Sequence, residues 1–472
     1  MNIKITNKDI VWNYLGYGIT FGINVILLPL VLHFLSEEEL GLWYVFTSIG
    51  ALVTLFDFGF APQIARNITY AFSGATELLK IGYKESDKQQ KMPNSKLLME
   101  IISASKFLYI VIAILSLLIL LSFGTYYIFR ISDDILSKNY LISWVVFSFG
   151  CFLNLKYSYF NALYRGIGQF VELNKSIVFS RVIQLIASII LLKFGFGILA
   201  VSIAYTTNTV VFRLLLLLFY KRSDLFYNID LHKKKEYNLA SKINTLRIIW
   251  YNAWRDGLVT VSYYIVSQSN VLISSYYFGL SATASYALSV QIITFITSSS
   301  TIIFGSLQPA ISQASIANDF EGKKHLFSLG WSFYFILFII LLLIFYFFGI
   351  PLLSLIQSNT TINPLILFLY AIFMLLTTNF NLSASYISAS NKLPYAKSFI
   401  ISALLSVILA LIFARFTKTY IYGLIIAHLI VQSLYNNWKW PLYVFKELDT
   451  NPLKMIKYSY NYLILKYNLN KL

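Results

Sequence analysis

Several residue types are scarce in this chain, and each shortage excludes a class of protein. Cys151 is the only cysteine among 472 residues, so an intrachain disulfide is impossible. The four histidines, His33, His232, His325 and His428, are far apart, and no Cys/His spacing typical of a metal site occurs. A glycine-rich phosphate loop and an HExxH sequence are also missing. The sequence therefore predicts no enzyme, no catalytic residue, no metal and no bound cofactor.

Acidic residues are also few. Only 20 Asp and Glu stand against 37 Lys and Arg, which gives a net charge of +17. An excess of this size can indicate a nucleic-acid partner, but the basic residues lie mostly between long apolar segments. Membrane topology explains that placement better, so no nucleic-acid partner is predicted.

Apolar residues, by contrast, are abundant: 58% of the chain is hydrophobic, and the mean hydropathy is +0.68. Lipid admits only backbone that satisfies its own hydrogen bonds, and a helical span needs roughly 20 apolar residues. The first apolar run is too long for a cleaved signal peptide, so we expect it to be a span. We predict an all-α membrane protein with about twelve transmembrane helices, at 14–35, 42–61, 107–129, 140–162, 176–194, 197–219, 253–279, 283–309, 330–350, 363–388, 398–415 and 420–440.

The distribution of basic residues orients these spans. With the N-terminus in the cytoplasm, and with residues at span ends counted in the adjoining segment, 29 of the 37 Lys and Arg fall in inside segments, five in outside turns and three within spans. The positive-inside rule then places both termini in the cytoplasm. The outside turns are short, the longest running from Arg130 to Asn139, so no external domain is expected.

The spans divide into two sets of six. We predict an N-terminal six-helix bundle over 1–219, a cytoplasmic linker over 220–252, a C-terminal six-helix bundle over 253–440, and a basic interfacial tail over 441–472. A weak repeat supports two halves, because Phe58-Gly59 closes the second span and Phe304-Gly305 closes the eighth. Parallel repeats of this kind are common in transporters that rock two bundles about a central site.

Ionisable residues at membrane depth are the candidate functional residues, because each costs about 2.5–3.5 kcal/mol at a helix centre unless it is paired or hydrated. In one interpretation the cations reach the cytoplasmic headgroups or pair locally. In the other they line an inward-open cavity and bind an anionic substrate, for which the arginine fork suits phosphate. Asp57 and Asp256 would pair with the cations or exchange a proton or sodium ion. The cationic candidates are Arg66, Lys156, Arg165, Arg181, Arg213 and Arg255.

Uncharged polar side chains add a second signal. Asn154, Asn161, Gln184 and Asn208 lie within the predicted spans, and the chain contains 35 tyrosines. Interfacial belts explain most tyrosines, and helix–helix hydrogen bonds explain some amides. A hydrated path for sugars would use both, because a tyrosine ring stacks on a sugar ring while its hydroxyl bonds to sugar oxygens.

Three segments together resemble a known family. Phe34–Trp43, then Leu55–Phe60, then Arg66-Asn67 are similar to the opening hairpin of Wzx-type polysaccharide flippases. These proteins belong to the multidrug/oligosaccharidyl-lipid/polysaccharide exporter superfamily. Asp57 and Gly59 match the family's Asp-x-Gly at the end of the second helix, and length, span count and six-plus-six organisation agree over nearly the whole chain.

The resemblance implies a MATE-like V of two bundles in the bacterial cytoplasmic (inner) membrane. It also implies ion-coupled transfer of undecaprenyl-diphosphate-linked oligosaccharide to the periplasmic leaflet, for O-antigen or another surface polysaccharide. The implied partners are that lipid-linked oligosaccharide, the lipid bilayer, a polysaccharide polymerase and a chain-length regulator. A proton or sodium gradient would supply the driving force.

One departure from the related lipid II flippases bears on the cargo. Those proteins carry an essential cation in the first helix, whereas Trp12–Gly16 contains no charge here. This difference argues against lipid II and leaves the cationic role to Arg66, Arg181 and Arg255.

Three alternatives remain open at this level. A multidrug exporter of the same superfamily would favour a more acidic cavity than this excess of Arg and Lys provides. An O-antigen polymerase or ligase would carry a large periplasmic loop, which the short outside turns do not offer. A scaffold in an envelope complex would have little use for so many polar residues at membrane depth.

Overall fold

A computed structural model describes residues 7–79, 83–84, 93–132, 139–222, 237–316, 319–354, 362–388 and 394–459 of the chain. The described part is almost entirely helical, as the composition predicts. The chain forms two compact units, Met1–Tyr264 and Ile265–Leu472, which divide within one long helix.

The described residues of the N-terminal unit form nine helices, a short hairpin and the first part of a tenth helix. The helices are α1 (Asn7–Phe34), α2 (Glu37–Leu55), α3 (Phe60–Phe72), α4 (Ser95–Ile119), α5 (Thr125–Ile131), α6 (Tyr140–Lys156), α7 (Ser158–Ile167), α8 (Phe170–Lys193), α9 (Ile198–Arg222) and α10 (Leu239–Tyr277). The hairpin pairs β1 (Glu77–Leu78) with β2 (Tyr83–Lys84) in antiparallel register. A five-residue π-helical turn, Leu120–Gly124, joins α4 to α5.

In its described residues, the C-terminal unit continues from α10 with seven numbered helices. These are α11 (Gly279–Ile316), α12 (Phe320–Ile344), α13 (Ile350–Ser354), α14 (Pro364–Ser388), α15 (Ala396–Phe416), α16 (Tyr420–Leu434) and α17 (Asn436–Glu447). A second π-helical turn, Phe345–Gly349, joins α12 to α13. A helical turn at 452–459 follows α17, and its Ser459 donates a hydrogen bond to Ser332 of α12 at 3.2 Å.

Eight helical segments in the described part of the chain are long and apolar enough to cross a membrane. Large apolar side chains remain exposed on their outer faces, including Leu118, Phe123, Leu214 and Phe348. Such surfaces suit lipid rather than water. The prediction of a multi-span, all-α membrane protein is therefore confirmed, and eight of the twelve predicted spans coincide with these segments.

The predicted span 42–61 needs a correction, because α2 ends at Leu55 and a tight turn precedes α3. Phe58 has φ 42° and Gly59 has φ 76°, so both lie in the left-handed region. A residue as bulky as phenylalanine rarely adopts that conformation, and its surroundings must hold it there. The Phe58 ring stacks on Trp250 of α10, with centroids 5.5 Å apart and planes 18° from parallel.

The predicted repeat is not reproduced at the level of local structure. Gly305 and its neighbour Phe304 lie inside the continuous helix α11, whereas Phe58-Gly59 breaks the backbone. A different pair of segments does correspond. Asn94 caps α4 and Asp319 caps α12, each helix has 25 residues, and each leads into a π-helical turn ending in glycine.

Helix α3 packs closely against helix α7. A Cβ added to Gly166 would lie 2.7 Å from the carbonyl oxygen of Ala65 and equally near Ile68. The Thr69 hydroxyl donates to the Gly166 carbonyl across the same contact, at 2.8 Å. Small residues commonly permit such backbone approach between membrane helices.

We predict that Gly166→Ala destabilises the chain by about 1–3 kcal/mol, because backbone on α3 leaves no room for a methyl group. Apparent melting temperature of the purified protein in detergent measures the effect. Gly305→Ala is the matched control, since a Cβ there meets no atom within 4 Å. Equal melting temperatures for the two variants would contradict the packing argument.

Candidate functional site

A cavity of about 400 Å³ with both polar and apolar lining residues lies within the N-terminal unit. Its walls come from α2, the turn before α3, and helices α3, α6, α7 and α9. Most of the polar groups come from one stripe on α6 and α7. The lining residues are Gly50, Val53, Asp57, Ala61, Pro62, Ala65, Cys151, Asn154, Leu155, Ser158, Asn161, Ala162, Arg165 and Tyr205.

Asp57 is the one carboxylate in that lining, and the break between α2 and α3 positions it. One carboxylate oxygen, Oδ1, accepts a hydrogen bond from the hydroxyl of Tyr109, which is fully buried on α4. The other oxygen, Oδ2, accepts the backbone N–H of Ala61 at 3.2 Å. A carboxylate at a helix N-terminus also interacts favourably with the helix dipole. Asp57 therefore caps the start of α3 and also lines the cavity.

Arg213 of α9 is the most deeply buried cation of the site, with 3% of its surface exposed. Its Nη1 donates to Asn161 Oδ1 at 3.0 Å. Its Nη2 donates to the carbonyl oxygen of Asn154 at 3.1 Å and to Asn154 Oδ1 at 2.8 Å. Within the described part of the chain, no acidic side chain pairs with it. The guanidinium thus joins α9 to α6 and α7 through amides alone.

Tyr205 and Cys151 complete the wall opposite α3. The Tyr205 hydroxyl lies 3.7 Å from Cys151 Sγ. The Tyr205 ring packs on Phe147, with centroids 4.7 Å apart. Gly150 permits this approach of α9 to α6, because a Cβ there would lie 2.7 Å from Thr206 Oγ1. A thiol, a phenol, amides and hydroxyls make this wall polar but uncharged.

Of the five predicted cations whose side chains the structure describes, only Arg165 is among the residues that line the cavity, and it is exposed. Arg66 is exposed on α3, next to Ala65 of the lining. Because Ala65 contacts Gly166, Arg66 and Arg165 flank the same helix crossing. Arg213 lies behind the cavity wall, with its partners Asn154 and Asn161 in front of it.

The remaining candidates occupy other surroundings. Lys156 Nζ lies over the rings of Phe152 and Tyr157, at 5.6 and 5.4 Å from the centroids. Arg181 donates to Gln184 Oε1 at 2.8 Å, one turn along its own helix. Arg255 and Asp256 lie on α10, but their side chains are outside the described part of the chain.

The polar stripe on α6 and α7 could not be found from charge alone, but its helical spacing can be read from the sequence. Asn154, Ser158, Asn161 and Arg165 follow one another at intervals of four, three and four, which places them on one helical face. The partnership of Asp57 with Tyr109 had no comparable signal, because 52 residues separate them.

The C-terminal unit holds a buried polar cluster of a different kind. Asn436 donates to Ser402 Oγ at 2.7 Å and to Gln432 Oε1 at 3.0 Å. Ser398 donates to Asn436 Oδ1 at 2.9 Å. These side chains satisfy one another's donors and acceptors between α15, α16 and α17. Polar side chains commonly hold membrane helices together in this way.

The sequence pattern of polysaccharide biosynthesis proteins matches residues 6–315, which is more than half of the chain and covers the whole cavity. The chain belongs to this family. No curated protein sequence matches it.

This polysaccharide biosynthesis protein also shares its fold with solved transporters. It is similar to an inward-facing multidrug resistance MATE family transporter of the MOP superfamily, with a TM-score of 0.63, 14% identity, and coverage of 95% of this chain and 97% of the other. The lipid II flippase MurJ gives a TM-score of 0.61 at 13% identity, over 98% and 92% of the two chains. A MOP superfamily transporter from Pyrococcus furiosus gives 0.56 at 15% identity, over 94% and 98%. The family member described here is thus a multi-pass membrane protein with a MATE-like fold.

The dual role of Asp57 makes a prediction about stability. Asp57→Ala should destabilise the protein by about 1–2 kcal/mol, because Ala61 N–H and the Tyr109 hydroxyl both lose their acceptor. Asp57→Asn should stay close to wild type, since an amide can accept from Ala61 and donate to Tyr109. Apparent melting temperatures in detergent test the pair. Tyr109→Phe removes the same Tyr109–Asp57 hydrogen bond by deleting its donor. The destabilisation by Tyr109→Phe should therefore not add fully to that by Asp57→Ala.

Proposed function

We propose that this protein moves undecaprenyl-diphosphate-linked oligosaccharide repeat units from the cytoplasmic to the periplasmic leaflet of the bacterial inner membrane. The observation that carries the proposal is the polar cavity of Asn154, Ser158, Asn161 and Arg165 inside a lipid-exposed helical unit. Membership in the polysaccharide biosynthesis family indicates the class of cargo. The similarity to MurJ supplies a fold that is used for lipid-linked cargo in that protein.

The chemistry of the cargo has three parts, and each needs a different environment. The polyprenyl tail stays in lipid, where the apolar outer faces of the helices meet it. The diphosphate needs cations, and the arginine fork offers paired, charge-assisted hydrogen bonds to phosphate oxygens. Arg165 and Arg66, both exposed beside the crossing of α3 and α7, are the residues proposed for that role. The glycan needs uncharged hydrogen-bonding groups in a hydrated space.

Transport by alternating access follows from this arrangement. The cavity would load at the cytoplasmic side, where the basic segments concentrate under the positive-inside rule. A closure of that side and an opening of the other would release the cargo to the periplasmic leaflet. In this proposal the protein binds and moves its cargo and performs no covalent chemistry.

Coupling to a proton gradient is proposed to act through Asp57. It is a carboxylate of the cavity lining, and its hydrogen bonds to Tyr109 and Ala61 tie it to the start of α3. Protonation would replace the charge-assisted hydrogen bond from Tyr109 with a weaker neutral one and so loosen that link between α4 and α3. A change at the cavity would then be transmitted to the helix break.

Asp57→Asn tests this coupling without disturbing the fold. In proteoliposomes, an imposed proton gradient should accelerate wild-type transport of the lipid-linked glycan, whereas the Asn variant should respond little. A variant that kept the wild-type response would exclude Asp57 as the coupling residue. A response of the wild type to a sodium gradient alone would assign a different ion.

The transport proposal is tested in cells that lack the protein. Single repeat units on undecaprenyl diphosphate should accumulate on the cytoplasmic leaflet, and the wild-type chain should relieve the accumulation. Arg165→Ala should restore transport at least about tenfold less well, because a charge-assisted hydrogen bond to phosphate is lost. Arg222→Ala, at the exposed end of α9, is the matched control and should act as wild type.

The other outcomes assign other functions. Single units that reach the periplasmic leaflet but remain unpolymerised would indicate a polymerase. If the amount and leaflet of lipid-linked glycan were unchanged in cells that lack the protein, the glycan would be excluded as the cargo. Drug export would then be the next function to test. Full transport by an Arg66→Ala/Arg165→Ala double variant would remove the proposed diphosphate site.

A further inference from the structure

The surroundings of Arg213 indicate that this side chain does not bind the substrate directly. The side chain is 3% exposed, and both of its terminal nitrogens are engaged by asparagine oxygens. Its Nε is enclosed and has no hydrogen-bond partner in the described part of the chain. A phosphate could reach this guanidinium only after the amides of Asn154 and Asn161 moved aside.

The guanidinium determines which way both amides point. Arginine offers only N–H donors, so each amide must turn its oxygen toward Arg213. The amide nitrogens of Asn154 and Asn161 are therefore directed away from it. Since both residues line the cavity, the consequence is a pair of donor groups at the cavity wall. The buried charge also polarises these amides and strengthens them as donors.

Neighbouring groups extend this donor set into a mixed surface. The Asn161 amide nitrogen makes no hydrogen bond among the described residues. The Tyr205 hydroxyl lies within hydrogen-bonding reach of the Asn154 side chain. Ser158 donates to the Asn154 carbonyl at 3.0 Å, which leaves the lone pairs of its hydroxyl oxygen available. Donors and acceptors thus alternate over a small area of wall.

This surface suits an uncharged, polyhydroxylated ligand. Sugar hydroxyls both donate and accept, and an aromatic ring such as Tyr205 can pack on a sugar ring. The cavity volume of about 400 Å³ falls in the range of small-molecule sites. The fixed charges in the lining are one carboxylate, Asp57, and one guanidinium, Arg165, so the wall of amides and hydroxyls carries no charge of its own.

We propose that this cavity binds the sugar next to the diphosphate, and that Arg213 is a positioning residue that holds the Asn154 and Asn161 amides for sugar hydroxyls. The inference rests on the proposed function, because it assigns the diphosphate and the sugar of the same cargo to two different parts of the site. Arg165 receives the diphosphate, and the amides held by Arg213 select for the glycan.

Asn161→Asp is the sharpest test. Aspartate is isosteric with asparagine and still accepts from Arg213, so the link from α7 to α9 is retained. The variant replaces the amide donor with an acceptor and adds a negative charge beside Arg213, so it can change the affinity for both lipids, and only the ratio of the two affinities isolates the loss of the donor. A purely structural role for Asn161 would leave glycan recognition unchanged in this variant.

The experiment compares two lipids bound to the purified chain in nanodiscs. One is undecaprenyl diphosphate, and the other is undecaprenyl diphosphate carrying one N-acetylhexosamine. The readout is the ratio of their dissociation constants, because a general loss of affinity cancels in the ratio. Wild type should prefer the glycosylated lipid by about tenfold, which is the effect expected of one or two net hydrogen bonds.

Asn161→Asp should bring the ratio close to one. Arg213→Lys should also reduce it, because an ammonium keeps the charge but lacks the planar fork that holds two amides. Arg165→Ala should weaken both lipids and leave the ratio unchanged. Arg222→Met, on the same helix as Arg213 but exposed, should alter neither quantity.

Several results would overturn the inference. If Arg213→Lys weakened both lipids equally, Arg213 would act on the diphosphate. A wild-type ratio near one would remove the sugar site while leaving lipid-linked transport intact. Binding of neither lipid by wild type would instead remove the proposed function.

Discussion

Every backbone polar group at membrane depth must find its hydrogen-bond partner within the protein, and this constraint shapes the whole chain. It explains why the described residues are almost all helical. It also explains the form of the irregular places. The two π-helical turns stay inside continuous helices, and the sharp break at 56–59 is capped by the Asp57 side chain. Departures from regular helix are thus confined to positions where a side chain or a neighbouring turn satisfies the backbone.

The same constraint applies to buried side chains, and Arg213 is the clearest case. A cation in this environment is costly unless its donors are satisfied. The protein satisfies them with neutral amides rather than with a carboxylate. An ion pair would have neutralised the charge and consumed both partners. Amides leave the charge in place and also present their own N–H groups to the cavity, so one interaction serves both packing and recognition.

The two halves are related in construction but not in the site. Both have a third span of matching design, with an Asx cap, a 25-residue helix and a π-helical turn ending in glycine. The N-terminal half breaks its second span at Asp57 and lines a cavity there, whereas α11 of the C-terminal half is a continuous helix. The buried polar groups of the C-terminal half bond to one another around Asn436 instead.

The sequence by itself determined the membrane character, the helical class and the position of the spans, because these depend on the hydropathy of about 20 consecutive residues. It also singled out Asp57 and the six cations, since charge at membrane depth is visible without a structure. Tertiary structure decided which of these residues share a site. Arg165 and Arg213 are equally conspicuous in the sequence, yet one is exposed in the cavity lining and the other lies behind its wall. That difference depends on how α7 and α9 are rotated and packed, and on a contact between Arg213 and Asn154 that spans 59 residues of sequence. Local pattern carries no information about such a contact, because the partners meet only when the helices do.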